Sequence, residues 1–361
     1  MRARAAIAAA TALNLPFGTL YAFSVFLKPL EALLGVGRAE LSFVFGLATV
    51  TLTGAMVAAP SVYRRMAPWA IALACGACGA GGLFLAARAT TFAELALGYG
   101  VLFGVGAGIG FIVVHQGVNQ TVTTRRGLAN GYVVSLYPLG AMLGSLAVAV
   151  FAGCALTAFL LGATDIRMHD ATETAEPGDA RRSTFYLLAT VFFLAAAAGL
   201  MVMSQAAGIV QAYGAGTALA VAATAFITGM VGAARIAGGW LTDRYAIARV
   251  AMGAQFFAFM GAAILSLWPG PLVAVGTLAM IGAGYGIISG VTAAAIARYW
   301  HKNAFGRVAG RLYVAWCIAA ITLPVVAGWV YDRTQGYAAA VWIAGGLNLV
   351  AVAFAARLPK P

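Results

Sequence analysis

A single arginine, Arg235, stands inside an otherwise uncharged apolar stretch from Thr217 to Trp240. A guanidinium in such a stretch costs about 2.5–3.5 kcal/mol on insertion scales, so it is expected to face protein, water or an anion rather than lipid. Arg235 is therefore read as an anion-binding post. The other titratable residue within an apolar run is His115, beside Gln116 and Asn119. It has two readings, a hydrogen-bonded structural histidine or a proton-coupling group. The second has force because the ten acids, Glu31, Glu40, Glu94, Asp165, Asp170, Glu173, Glu176, Asp179, Asp243 and Asp332, leave the span interiors empty of carboxylates. Proton coupling would have to use His115 or a ligand's own carboxyl group, whereas exchange against a counter-anion needs neither. Tyr21, Phe17, Asn14 and Tyr285 are of the types that line a cavity with apolar walls and a few polar contacts, and packing is the alternative for each. Cys75 and Cys78 form a Cys-x-x-Cys inside an apolar run with no second pair, which reads as a buried helix face. No metal site, no cofactor and no catalytic residue is expected.

The elements that must position these residues follow from composition. The chain has 361 residues, 63% hydrophobic and 9% charged. Its apolar runs recur near the ~20 residues a helix needs to cross a bilayer. Backbone groups in hydrocarbon must pair within each span, so the runs are helices and a soluble enzyme is excluded. The net charge of +12 would suit nucleic acid in a soluble protein. Its placement argues instead for the bilayer as partner and against nucleic acid, because the basic residues fall in alternate loops. Arg2, Arg4, Arg64, Arg65, Arg125, Arg126, Arg167, Arg181, Arg182, Arg244, Arg249, Arg298, Lys302, Arg307, Arg311, Arg357 and Lys360 share one side; opposite them stand only Lys28, Arg38, Arg88 and Arg333. The positive-inside rule then puts both termini in the cytoplasm, in the cell (inner) membrane. The stretch after Arg2 and Arg4 runs on to about residue 27, long enough to span, and is kept as the first helix rather than a signal peptide.

Spans are expected at 5–27, 40–60, 69–87, 92–114, 184–212, 217–240, 250–268, 272–296, 308–331 and 338–356. Residues 128–162 are too long for one ordinary span. Parity of the charge pattern asks for two short ones, 128–145 and 146–162, turning at Gly144-Ser145. This gives an all-α membrane protein of about twelve transmembrane helices, with spans five and six shortened. An N-terminal bundle (1–162), a cytoplasmic linker (163–182) and a C-terminal bundle (183–361) follow. The halves repeat. Val105-Gly106-Ala107-Gly108-Ile109-Gly110 is echoed by Ile281-Gly282-Ala283-Gly284-Tyr285-Gly286 at an offset of 176. Gly127 and Gly131 recur as Gly306 and Gly310, and Arg64-Arg65 falls opposite Asp243-Arg244, each at an offset of 179.

After the eighth span, Gly239-Trp240-Leu241-Thr242-Asp243-Arg244, with Arg249 following, resembles the cytoplasmic-loop signature of the major facilitator superfamily. Its physical logic is an acid at a helix end within reach of basic groups on a neighbouring helix, a clasp that breaks when the protein opens inward. The matching place in the first half, Ala59 to Arg65, lacks the acid. Within that superfamily, four features resemble the oxalate/formate antiporter and monocarboxylate transporter branch. They are Tyr21-Ala22-Phe23-Ser24-Val25-Phe26, Arg235 eight residues before Asp243, Arg126-Gly127-Leu128-Ala129, and Gly199 to Gln205.

The resemblance implies two six-helix bundles with pseudo-two-fold symmetry and an eighth-span arginine, here Arg235, that binds a substrate carboxylate. It also implies Tyr21 as a cavity residue. The branch's dicarboxylate antiporters carry a second cation, a lysine, in span eleven, where this chain has Trp316 in Tyr313-Val314-Ala315-Trp316. One cation suits a monoanion, since a charge pair at 4 Å is worth about 4 kcal/mol at an effective dielectric of 20. The expectation is a monomeric secondary carrier of a small organic anion, a monocarboxylate, with protons or a counter-anion as coupling partner. Arg235, Tyr21, His115, Trp316 and Tyr285 would touch substrate. Asp243, Arg244, Arg249 and Gly239 would gate. The competing readings are efflux of amphipathic compounds, which would call for a cavity carboxylate, and a non-transporting membrane scaffold or receptor.

Overall fold

The computed structural model describes residues 2–143, 147–164, 179–300 and 302–360. The turn at Gly144-Ser145 and most of the 163–182 linker lie outside them. Among the described residues there are no strands, and the helices fall into twelve rods. These are α1 (Arg2–Phe17, continued by 3-10 turns over Gly18–Phe26 and a short helix Leu27–Leu34), α2 (Arg38–Tyr63), α3 (Pro68–Ala87), α4 (Phe92–Leu95, a π-helical stretch Ala96–Phe103, then Gly104–Thr121), α5 (Arg126–Leu143), α6 (Ala147–Ala163), α7 (Asp179–Ala212), α8 (Thr217–Thr242), α9 (Ile247–Leu267), α10 (Pro271–Tyr299), α11 (Phe305–Thr334) and α12 (Ala338–Ala355). Nine stretches among the described residues are long and apolar enough to cross a membrane. The residues 128–162 do divide into two short helices, α5 and α6, of 18 and 17 residues.

Local chemistry sets the breaks. Gly35 takes a left-handed φ of 63° after the first rod, and Gly37 N–H donates to Glu40 Oε2 at 2.8 Å to open α2. Pro68 and Pro271 stand at the first helical positions of α3 and α10, where a missing N–H costs nothing. The π stretch of α4 loosens the ladder at Gly98 and Gly100. There Gly100 O accepts from Thr51 Oγ1 of α2 at 2.6 Å.

By contacts the chain forms two units, one of residues 1–124, 136–174 and 300–317, the other of 125–135, 175–299 and 318–361. In the first, α1 packs on α4 and α6, α2 on α4, and α3 on α4 and α6. In the second, α7 packs on α10 and α12, α8 on α10, and α9 on α10 and α12. Each pair in one set reappears six rods later in the other, so the repeat read from glycines is a repeat of packing.

The packing also corrects its register. A methyl on Gly106 would come 2.8 Å from Cys75 O, and one on Gly284 2.8 Å from Ala254 O; Gly108 sits on Leu52 O as Gly286 sits on Val231 O. Gly106 thus answers to Gly284 and Gly108 to Gly286, an offset of 178 and not 176. A Gly-x-Gly-x-Gly ladder looks the same after a two-residue slip, which is why the sequence pairing fell on the wrong rung.

Candidate functional site

Arg235 lies on α8 and is 3% exposed, inside protein rather than at a lipid face. Its surroundings are made by glycines on two neighbours. On one side Gly131 of α5 packs on the Arg235 carbonyl, and Gly127 packs on Gly239. On the other, Gly290 of α10 packs on the same carbonyl and Gly286 on Val231. Small residues let helix backbones approach this closely in a membrane, and the approach brings polar groups of α5 and α10 within reach of one guanidinium. Arg235 Nη1 donates to Val134 O at 2.8 Å, and Nη2 donates to Tyr285 Oη at 3.1 Å. The guanidinium carbon is 5.4 Å from the centre of the Tyr285 ring. Tyr285 is 1% exposed and fits only because Gly199 of α7 presents no side chain to its ring.

The carbonyl that receives Arg235 has a local cause. Val134 is four residues before Pro138 in α5, and proline has no N–H to close that turn of the helix. Arg235 and Tyr285, both named from sequence, are thus brought together. Val134 and Pro138 were missed, because nothing local says which carbonyl an arginine a hundred residues away will meet.

Asp243 ends α8. Its carboxylate accepts from Gly127 N–H at 2.8 Å and Leu128 N–H at 2.9 Å, the open N-terminus of α5. The acid thus reaches the neighbouring helix, where these two backbone donors hold it. Gly239 allows the crossing, since a methyl there would strike Gly127 O. Arg244 is exposed and lies 3.9 Å over the Trp240 ring, and Arg249 is exposed near the start of α9.

The first unit has its own version. Gly306 and Gly310 of α11 pack on Tyr63 and on Met56 O of α2. Because 56 and 235 differ by the same 179 as the glycines, Met56 occupies the place of Arg235. Gly306 N–H donates to Gln116 Oε1 at 2.8 Å, so a carboxamide caps α11 where a carboxylate caps α5. Sequence reading noticed Gln116 only as a neighbour of His115.

His115 is buried, with Nδ1 2.8 Å from Phe111 O. Its ring lies 4.0 Å from that of Phe111 and stacks 6.0 Å from Phe305 at 3°. Its Nε2 is buried without a hydrogen-bond partner among the described residues.

Tyr21 and Trp316 meet edge to face at 6.5 Å and belong to a closed ring of five aromatics. The circuit runs Tyr21 to Tyr137 (6.4 Å), to Phe111 (5.4 Å), to Tyr313 (5.2 Å) and to Trp316 (6.3 Å), drawing on α1, α4, α5 and α11. Tyr313 and Trp316 are tilted at 58°, and the other contacts of the circuit are edge to face, a favoured aromatic geometry. Phe17 is fully buried against Phe103 and is core packing. Asn14 is fully buried with neither amide atom partnered among the described residues.

No family model matches the chain. It is similar to a curated protein of Escherichia coli (strain K12) described as an uncharacterized MFS-type transporter, YhjX. The two are 24% identical over 337 residues, 84% of this chain and 82% of that protein. Among solved structures it is similar to the Major Facilitator Superfamily transporter FucP in the outward conformation, with a TM-score of 0.75 and 15% identity over 98% of this chain and 99% of that one. It is also similar to the human organic anion transporter MFSD10 (TETRAN), TM-score 0.73 and 16% identity over 98% and 100%. The proton:xylose symporter XylE gives 0.71 and 13% over 99% and 96%. The fold is that of these proteins.

Proposed function

We propose that this chain, an integral membrane protein of the major facilitator fold and a transporter of that type, moves a small organic anion, a monocarboxylate, by alternating access with Arg235 as the binding cation. The observation that carries this is a guanidinium 3% exposed in a membrane-spanning helix whose described hydrogen bonds go to neutral oxygens, Val134 O and Tyr285 Oη. To these neutral oxygens a carboxylate would add a partner of opposite charge, able to take two parallel charge-assisted hydrogen bonds. The similar structures carry a sugar, or an organic anion, on one fold, so cargo is argued from the site. Trp316 in place of a second cation supports a monoanion over a dianion. Tyr21 and Trp316 are assigned as contacts for substrate on their own ground, an aromatic ring whose Tyr21 and Tyr313 are only half-buried. In the same proposal Asp243, Gly239, Arg244 and Arg249 form the gate, and the chain divides at its linker into bundles of 1–162 and 183–361.

The test is thermal stabilisation of the purified protein by formate, L-lactate and oxalate, followed by counter-flow of the labelled compound in proteoliposomes. A ligand at a hundred times its Kd adds about 2.7 kcal/mol, a shift well within reach. The monocarboxylates should stabilise the wild type and lose that effect in Arg235→Met. Stabilisation that survives the substitution would remove Arg235 from the site.

A further inference from the structure

We infer that Pro138 is a positioning residue that makes anion binding at Arg235 release the 126–135 stretch of α5 from α8. The inference rests on the reading that Arg235 takes an anion. Among the described contacts the stretch is held on α8 in three ways: by Asp243 on Gly127 and Leu128 N–H, by the glycine contacts of Gly127 with Gly239 and of Gly131 with the Arg235 carbonyl, and by Arg235 Nη1 on Val134 O. The third exists because Pro138 offers no N–H to Val134 O. A carboxylate arriving at Arg235 competes for the same nitrogen and wins, because it opposes the guanidinium charge and can accept from it through two oxygens, where the carbonyl is neutral and offers one.

Val134 O would then be buried with its donor gone, a state that costs more than the bond itself was worth. Relief comes when the stretch moves and the carbonyl finds another donor. Occupancy of Arg235 and attachment of α5 to α8 therefore oppose each other, and the anion acts through its different affinity for the two arrangements.

The repeat supplies an independent argument. At the offset of 179 Arg235 answers to Met56, Val134 to Tyr313 and Pro138 to Cys317. Cys317 has the N–H that Pro138 lacks. The arginine and the proline occur together at one crossing, and both are missing from its copy. A proline kept only for bending the helix would have no reason to share the arginine's asymmetry.

Two measurements decide it. The first needs no ligand: a double-mutant cycle of Arg235→Met and Pro138→Ala, read as apparent Tm of the full chain. Alanine at 138 restores the N–H, so at least half of the Tm loss caused by Arg235→Met in the wild type should vanish in the Pro138→Ala background. Additive shifts overturn the inference. The second uses sodium formate and sodium L-lactate as probes. Pro138→Ala should bind them more tightly, on the order of three- to tenfold. In the wild type, amide exchange over 126–135 should speed up several-fold at saturating probe; unchanged or slowed exchange overturns the inference. This arm decides alone if Pro138→Ala does not fold. If neither probe shifts the wild-type Tm, the anion reading of Arg235 fails separately. The cycle then still upholds or removes the link between Pro138 and Arg235.

Discussion

Arg235 was legible in the sequence because one charge in a run of uncharged residues needs a reason, and the structure gives it partners on two helices. Tyr285 was legible only as one aromatic among several. What selects it is Gly199 on the opposite helix, and that long-range match of a ring with a missing side chain has no local signature. It follows that Gly199→Ala should displace the Tyr285 ring and cost about 1–3 kcal/mol of stability, measured as a fall in apparent Tm. Tyr285→Phe keeps the ring and removes one acceptor from Arg235. Its Tm should fall by less than that of Gly199→Ala. The order of the two variants separates packing from hydrogen bonding at this residue. His115 shows the opposite limit: its type gave two readings, structural or proton-coupling, and no local pattern foretold its bond to Phe111 O or its two flanking rings.

At the level of helices, close crossings rather than hydrophobic pattern organise the chain. Apolar runs showed where the rods are, including the short α5 and α6. They were silent on the 3-10 turns after Gly18 and on the π stretch of α4, because both are departures from helical hydrogen bonding that leave composition unchanged. A methyl on Gly131 would overlap the Arg235 carbonyl, so Gly131→Ala should lower apparent Tm by the equivalent of about 1–3 kcal/mol. Gly253 of α9 has nothing within 4 Å of where its side chain would begin, and Gly253→Ala should be neutral or stabilising by up to about 1 kcal/mol. Equal losses at the two sites would show that the crossings are not what makes glycine necessary. Among the described residues, three rods end with an exposed aromatic four residues before an arginine whose guanidinium covers it: Phe84 and Arg88, Trp240 and Arg244, Trp329 and Arg333. Such pairs anchor helix ends at the level of headgroups, aromatic body inward and charge outward.

For the whole molecule, the asymmetry of basic residues makes a claim about sidedness that labelling can check. Single cysteines placed at Gly214, between α7 and α8, and at Arg244, between α8 and α9, should react with an impermeant thiol reagent from opposite faces of the membrane, Arg244→Cys from the cytoplasm. Reaction of both from one side would overturn the span count between them. Duplication was legible as matching glycines, yet its register was not, since only packing distinguishes Gly106 with Gly284 from Gly106 with Gly282. The copies have also drifted apart chemically at their helix caps. At Gly127 the cap is a carboxylate, and at Gly306 it is an amide. Dissolved ions screen the first and ignore the second. Raising potassium chloride should therefore slacken one bolt and spare its twin, so that amide exchange at Gly127 climbs with ionic strength while Gly306 holds steady.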